Sequence, residues 1–143
     1  MTLAAVRALF ESELNTAFQA MSPAVPVVFD NVQETPPGDE YAIVSLTYAT
    51  TTQPILCPTE SNIEALTGTI SVSCYTPRQQ GMKRLEQMSS VAMTTLNGIR
   101  AAADADADVI SASVGSIEGP ANIVDGDAAY ALTTVFAPFK ARV

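Results

Sequence analysis

The chain contains no histidine and no tryptophan, has only two cysteines, and devotes just 15% of its 143 residues to charged side chains. Each shortage excludes something. Without histidine there is no Ser-His-Asp or Cys-His arrangement, and the commonest general base is missing. Cys57 and Cys74 are too few and too far apart for a disulfide framework. A zinc site would have to combine them with carboxylates, a weak donor set. Neither the dinucleotide fingerprint nor the P-loop pattern occurs, so no glycine-rich phosphate cradle is expected. No apolar run approaches the length of a membrane span, and no basic segment followed by an apolar stretch marks a signal peptide. The expectation is a soluble protein made in the cytoplasm.

Positive charge is scarce as well: seven basic residues face fifteen acidic ones, for a net charge of −8. Phosphate neutralisation needs clustered Lys and Arg, so a general nucleic-acid binder is excluded. The acidic residues form no evident catalytic pair. Asp39-Glu40 and Glu11/Glu13 sit at surface-like positions and lack the facing geometry that acid–base work requires. Asp104, Asp106 and Asp108 alternate with alanine, but Val109 and Glu118 stand in the wrong places for a calcium loop, which leaves a solvated turn. No catalytic residue, metal or cofactor is expected.

What the chain does have is apolar residues, 48% of the total, enough for a single domain over residues 1–143 with a sizeable core. A charged share well below the usual quarter fits either a large core or a surface that rests against other subunits. Thr2 reads as the N-cap of a helix over about residues 3 to 20, with Leu3, Val6, Phe10, Leu14, Ala17 and Phe18 on one side. Pro23 and Pro26 end it, and Val27 to Phe29 form a short buried strand. Tyr41 to Thr52, rich in Thr, Val, Ile and Tyr, is a second strand. A long connection through residue 62 leads to a third, about Ile63 to Thr76. There Leu66, Gly68, Ile70, Val72 and Cys74 alternate with Thr67, Thr69, Ser71, Ser73 and Tyr75, the period-two pattern of a half-buried sheet.

A turn from Tyr75 to Gly81 opens a second helix, about residues 80 to 100, with Met82, Leu85, Met88, Ala92, Leu96 and Ile99 as its core stripe. Asn97-Gly98 and the Ala/Asp run close it. Two further strands, about Asp108 to Glu118 and Ala128 to Ala137, are joined by a turn region from Gly119-Pro120 to Gly126-Asp127. Pro138 ends the last strand, and Lys140 and Arg142 form a basic tail. The fold expected is α+β: a mostly antiparallel sheet of about five strands with two helices packed on one face.

With catalysis disfavoured, partner surfaces are the candidate sites. Thr50, Thr51, Thr52 and Gln53 lie at a strand end and the following loop, where a sheet can extend across a subunit boundary. Arg78, Lys83 and Arg84 cluster where the second helix starts. Cations are unfavourable at a helix N-terminus, which points to an acidic group outside the chain. In a head-to-tail ring such a contact recurs once per subunit.

The ordered set made by the N-terminal helix, Val25-Pro-Val-Val-Phe-Asp-Asn31, Pro36-Pro37, Tyr41 opening a strand, the Thr67–Tyr75 strand, the turn to Gly81 and the second helix resembles the tail terminator (tail completion) proteins of long-tailed bacteriophages. The resemblance runs from Leu3 to about Val135. The long loop after the second strand and the absence of an aromatic near Leu96-Asn97-Gly98 depart from it. It implies a virion protein at the tail/neck junction, made in the host cytoplasm. Its homo-oligomeric ring, usually a hexamer, would cap the tail tube, stop addition of tail tube protein and meet the head-tail connector protein. DNA would pass through the acidic lumen without specific binding. A neck or head-tail connector subunit is the alternative of the same kind. A small carboxylate-based enzyme or a ligand-binding domain is the alternative of another class.

Overall fold

The computed structural model describes residues 3–22, 24–29, 40–52, 65–77, 82–107, 109, 111–123 and 130–142. The elements run α1 (Leu3–Gln19), β1 (Val27–Phe29), β2 (Tyr41–Thr52), β3 (Ala65–Pro77), α2 (Lys83–Asn97), α3 (Ile99–Asp104), β4 (Ser111–Val114), β5 (Glu118–Ile123) and β6 (Tyr130–Arg142). The α+β expectation holds, with six strands rather than about five. Their order is β1-β2-β3-β6-β4, and β5 also pairs with β6. Only β1 runs parallel to its neighbour.

The alternation along β3 sets the two faces of the sheet. Register places Ala42, Cys74 and Thr133 on one rung, then Val44, Val72 and Val135, then Leu46, Ile70 and Ala137. All nine are buried. Directly opposed residues in antiparallel strands share a face, so these rungs form one apolar surface. Val6, Leu9, Phe10, Leu14 and Phe18 of α1 join it in a single core, with Leu85, Met88, Ala92 and Leu96 of α2 and Ile99 and Ala103 of α3. Each of these side chains larger than alanine contributes about 1.5–3 kcal/mol on burial. The helical spacing of the stripes therefore turns one side of every helix toward the same sheet face.

Four expectations are corrected. The second helix does not close at Gly98: its backbone stays right-handed and helical hydrogen bonding resumes as α3 to Asp104, with Ile99 and Ala103 buried. Gly98 is a seam, because no left-handed turn follows to stop the chain. Met82, read as part of the core stripe, lies before α2 and is 36% exposed. Gly119-Pro120 is not a turn but lies within β5, where the register shifts between Glu118 and Ala121. Gly119 takes φ 100° before a cis bond to Pro120, and an edge strand tolerates a proline that cannot donate.

The fourth correction concerns the end of the chain. β6 runs through Pro138 to Arg142, so Lys140 and Arg142 are strand residues, not a tail. Gly115 N–H donates to the Pro138 carbonyl at 2.8 Å, so residue 138 directs its backbone polar groups toward that side. There β4 has ended and β5 has not begun. The missing proline N–H thus faces a break in the neighbouring strand and costs no ladder bond. Thr2, the expected N-cap, and the 53–62 connection with Cys57 lie outside the described residues, as do residues 124–127 of the expected turn.

Candidate interaction surface

One sheet face is covered by helices; among the described residues, no helix or strand covers the other. Its rungs are Ile43, Ser73 and Thr134; Ser45, Ser71 and Phe136; Thr47, Thr69 and Pro138; then Thr67, Lys140 and Ser113. The period of two that buries one set of residues presents the other. Small hydroxyl side chains dominate, and Ser73 Oγ and Thr134 Oγ1 hydrogen-bond across strands at 3.2 Å. At one end Tyr41 and Tyr75 stack with centroids 4.5 Å apart. Phe136 stands 37% exposed near the middle. Two hollows of about 300 and 370 Å³ flank Lys140, bounded by Ser113 and Thr67. The scarcity of charge, with Phe136 exposed among the hydroxyls, is the feature this face shares with the centre of a protein interface.

The residues singled out in the sequence fall at opposite ends of this sheet. Thr50, Thr51 and Thr52 pair with Thr67, Leu66 and Ala65 beyond a bulge that follows Tyr48. Lys83 and Arg84 lie in the first turn of α2, near the start of β2, about 40 Å away at strand rise. Lys83 is exposed. Arg84 Nε donates to Glu40 Oε2 at 2.9 Å, with both side chains mostly buried, at 16% and 21% exposure. The cation at the helix N-terminus thus meets an acid of its own chain. Gln53 and Arg78 lie outside the described residues.

Glu118, Phe136, Lys140 and Arg142, none of them a candidate from the sequence, lie on the open face. The alternation through residues 134–142 carries the signal, but Pro138 reads locally as a stop. A second cluster closes the β2 edge beyond β1. Arg7 Nη2 donates to the Leu46 carbonyl at 3.1 Å, Arg7 pairs with Glu11 at 3.4 Å, and its guanidinium lies 5.9 Å from the Tyr48 ring centre. Burial raises the Tyr48 hydroxyl's pKa and Arg7 opposes it.

Inside, burial pushes the Cys74 thiol up to about 12, with the nearby Ser89 hydroxyl opposing the shift. Ser89 Oγ itself finds no partner at ordinary hydrogen-bond distance, and neither does Thr76 Oγ1. A thiol held protonated is a poor nucleophile and metal ligand. Among the described residues no group of three or more His, Cys, Asp or Glu side chains is placed to hold a metal ion, and no helix is long and apolar enough to cross a membrane.

No protein-family model matches the sequence, and no curated protein matches it. Solved structures do share its fold. One that carries no functional description aligns with a TM-score of 0.70 and 19% identity, over 100% of this chain and 97% of its own. A chain from the virion of a native gene transfer agent particle aligns with a TM-score of 0.56 and 15% identity, over 99% of this chain and 98% of its own. At such identities the likeness is one of fold.

Proposed function

We propose that the chain is a structural virion protein whose homo-oligomeric ring caps a phage tail tube, ends its polymerisation and joins it to the head connector. The observation that carries this reading is the end-to-end alignment with a chain of a virion, 99% of one against 98% of the other. The whole fold, not a fragment, is thereby shared with a particle component. The ordered motifs from Leu3 to Val135 support the finer assignment to tail completion. The open face, wide and nearly free of charge, supports a role in contact rather than catalysis.

In this reading the mechanism is binding alone. Copies of the chain close head to tail into a ring, six in the expected case, because a heterologous contact either closes or runs on as a filament. The ring satisfies the exposed addition surface of the last layer of tube protein. It offers no copy of that surface on its far side, so growth stops there. Its partners are itself, the tail tube protein and the head-tail connector protein, with DNA passing through the lumen unbound. The test is tube assembly from purified tube protein with and without this chain, read by electron microscopy. Capping predicts tubes of restricted length with extra density at one end. Tubes that lengthen equally in the presence of excess chain refute it.

A further inference from the structure

The open face carries its charge on β6 and its neighbour β5. Phe136, Pro138, Lys140 and Arg142 stand at alternate positions on β6, and Glu118 of β5 lies opposite Phe136. Among the described strand residues these three, Glu118, Lys140 and Arg142, are the only charged side chains of the face. All three are exposed, and none makes a hydrogen bond or ion pair with the described residues. Along the strand direction, the rung of Glu118 and Phe136 is thus followed by Pro138 and then by the two bases. Glu118 and Phe136 lie two residues to one side of Pro138 and Lys140 two to the other, about 6.7 Å each way. An acid and a base so placed complement their own reversal about a twofold axis midway between them.

We propose that this face pairs with the same face of a second copy. The twofold axis passes between the two sheets level with Pro138, midway between β6 and the β4/β5 side, about 20° from the perpendicular to the strands. Reversal about that axis brings Glu118 of each copy over Lys140 of the other, so one kind of ion pair is made twice. It also brings each Phe136 over the hollow of about 370 Å³ beside Lys140, whose walls include Thr67, Gly68, Ser113 and Pro138. The flat Ser and Thr rungs let two aligned sheets approach to the usual spacing of about 10 Å.

The area is modest. Reversal level with Pro138, four residues from the end of β6, overlaps about nine residues of strand length across four strands, roughly 500–600 Å² per copy at ordinary strand spacing and rise, the size of a weak, concentration-dependent interface. Charge complementarity selects a second copy over nucleic acid. Two cations beside an acid, on a chain of net charge −8, make a poor phosphate track. The pairing is closed and twofold, distinct from the head-to-tail contact of a ring, and does not rest on the tube-capping role.

Light scattering across a concentration series tests it, with Glu118→Lys, Lys140→Glu and the double reversal, each checked for native fold by circular dichroism. The wild type is expected to approach twice the chain mass as concentration rises. Each single reversal turns two attractions into two repulsions and weakens the dimer by roughly tenfold or more. The double reversal restores it to within about threefold, and Phe136→Asp abolishes it. A monomer at every concentration overturns the proposal, whatever else that monomer binds. So does a dimer or larger assembly that ignores the single reversals, or one that the double reversal fails to restore. A sixfold mass indifferent to all of them overturns the pairing while leaving the ring reading intact.

Discussion

Gly68→Ala tests how closely β3 is approached by its neighbours at Gly68. Gly68 sits opposite Tyr48 on one side and Phe139 on the other. The Phe139 ring turns over it, toward Phe10 at 5.2 Å and Tyr48 at 6.0 Å between ring centres. A Cβ at residue 68 would stand 2.8 and 2.9 Å from two Phe139 ring atoms and would strike the Thr47 carbonyl oxygen. The ring can rotate away, but the carbonyl belongs to a paired strand and moves only with β2. Overpacking of this kind costs about 1–3 kcal/mol, and the backbone clash places this site near 3. With an unfolding entropy of about 2.1 cal/mol/K per residue, the melting temperature should fall by roughly 10 °C. Thermal unfolding followed by circular dichroism reads this directly. Phe139→Leu in the Gly68→Ala background should recover only part of the loss beyond its own cost, since the Thr47 oxygen remains. An unchanged melting temperature would refute both the close approach and the strand register behind it.

Two further outcomes concern the interior between α2 and β3. Ser89 is buried in the middle of α2 with no hydrogen-bond partner for its hydroxyl, so Ser89→Ala should raise stability by about 1 kcal/mol, from relief of desolvation and better helix propensity. A loss of stability in urea titration would instead mean that the hydroxyl is bonded, to Cys74 or to a trapped water. Cys74, with its pKa raised to about 12, keeps its proton in the folded state while an unfolded thiol ionises near 8.5. The unfolded state therefore binds fewer protons above that value, and stability is full below it and drains as pH rises toward 12, at up to about 1.4 kcal/mol per unit. Urea titrations of wild type and Cys74→Ala at pH 7 and 10 should diverge in that direction; parallel curves would sink the assignment.

Much of the architecture was legible because it depends on periodicity, which is local. The spacing along α1, the alternation along β3 and the stripe of α2 each name the buried side of one element without reference to any other. Errors clustered where a residue's local rule was overruled by a neighbour distant in sequence. Pro138 reads as a strand end until β4 and β5 are seen to leave a gap beside it. Gly119-Pro120 reads as a turn until the register slip along β6 takes up the extra residues. Gly98 reads as a helix stop, yet Ile99 and Ala103 have core to enter, and their burial outweighs the modest cost of a glycine. The candidate site suffered in the same way. Arg84 looked available to an outside acid, but Glu40, forty-four positions earlier, already meets it. Lys140 and Arg142 were set aside as a tail.

By itself, then, the sequence determined the fold class, the faces of the main helices and strands, and the poverty of catalytic side chains, because composition and period act over a few residues at a time. Only the tertiary structure decided which cations are already paired and which face of the sheet stays open. It also brought Glu118 beside Phe136 and within two rungs of Lys140, for that grouping comes from the register of β5 against β6, and hydrogen-bond pairing between strands is not encoded in either strand alone.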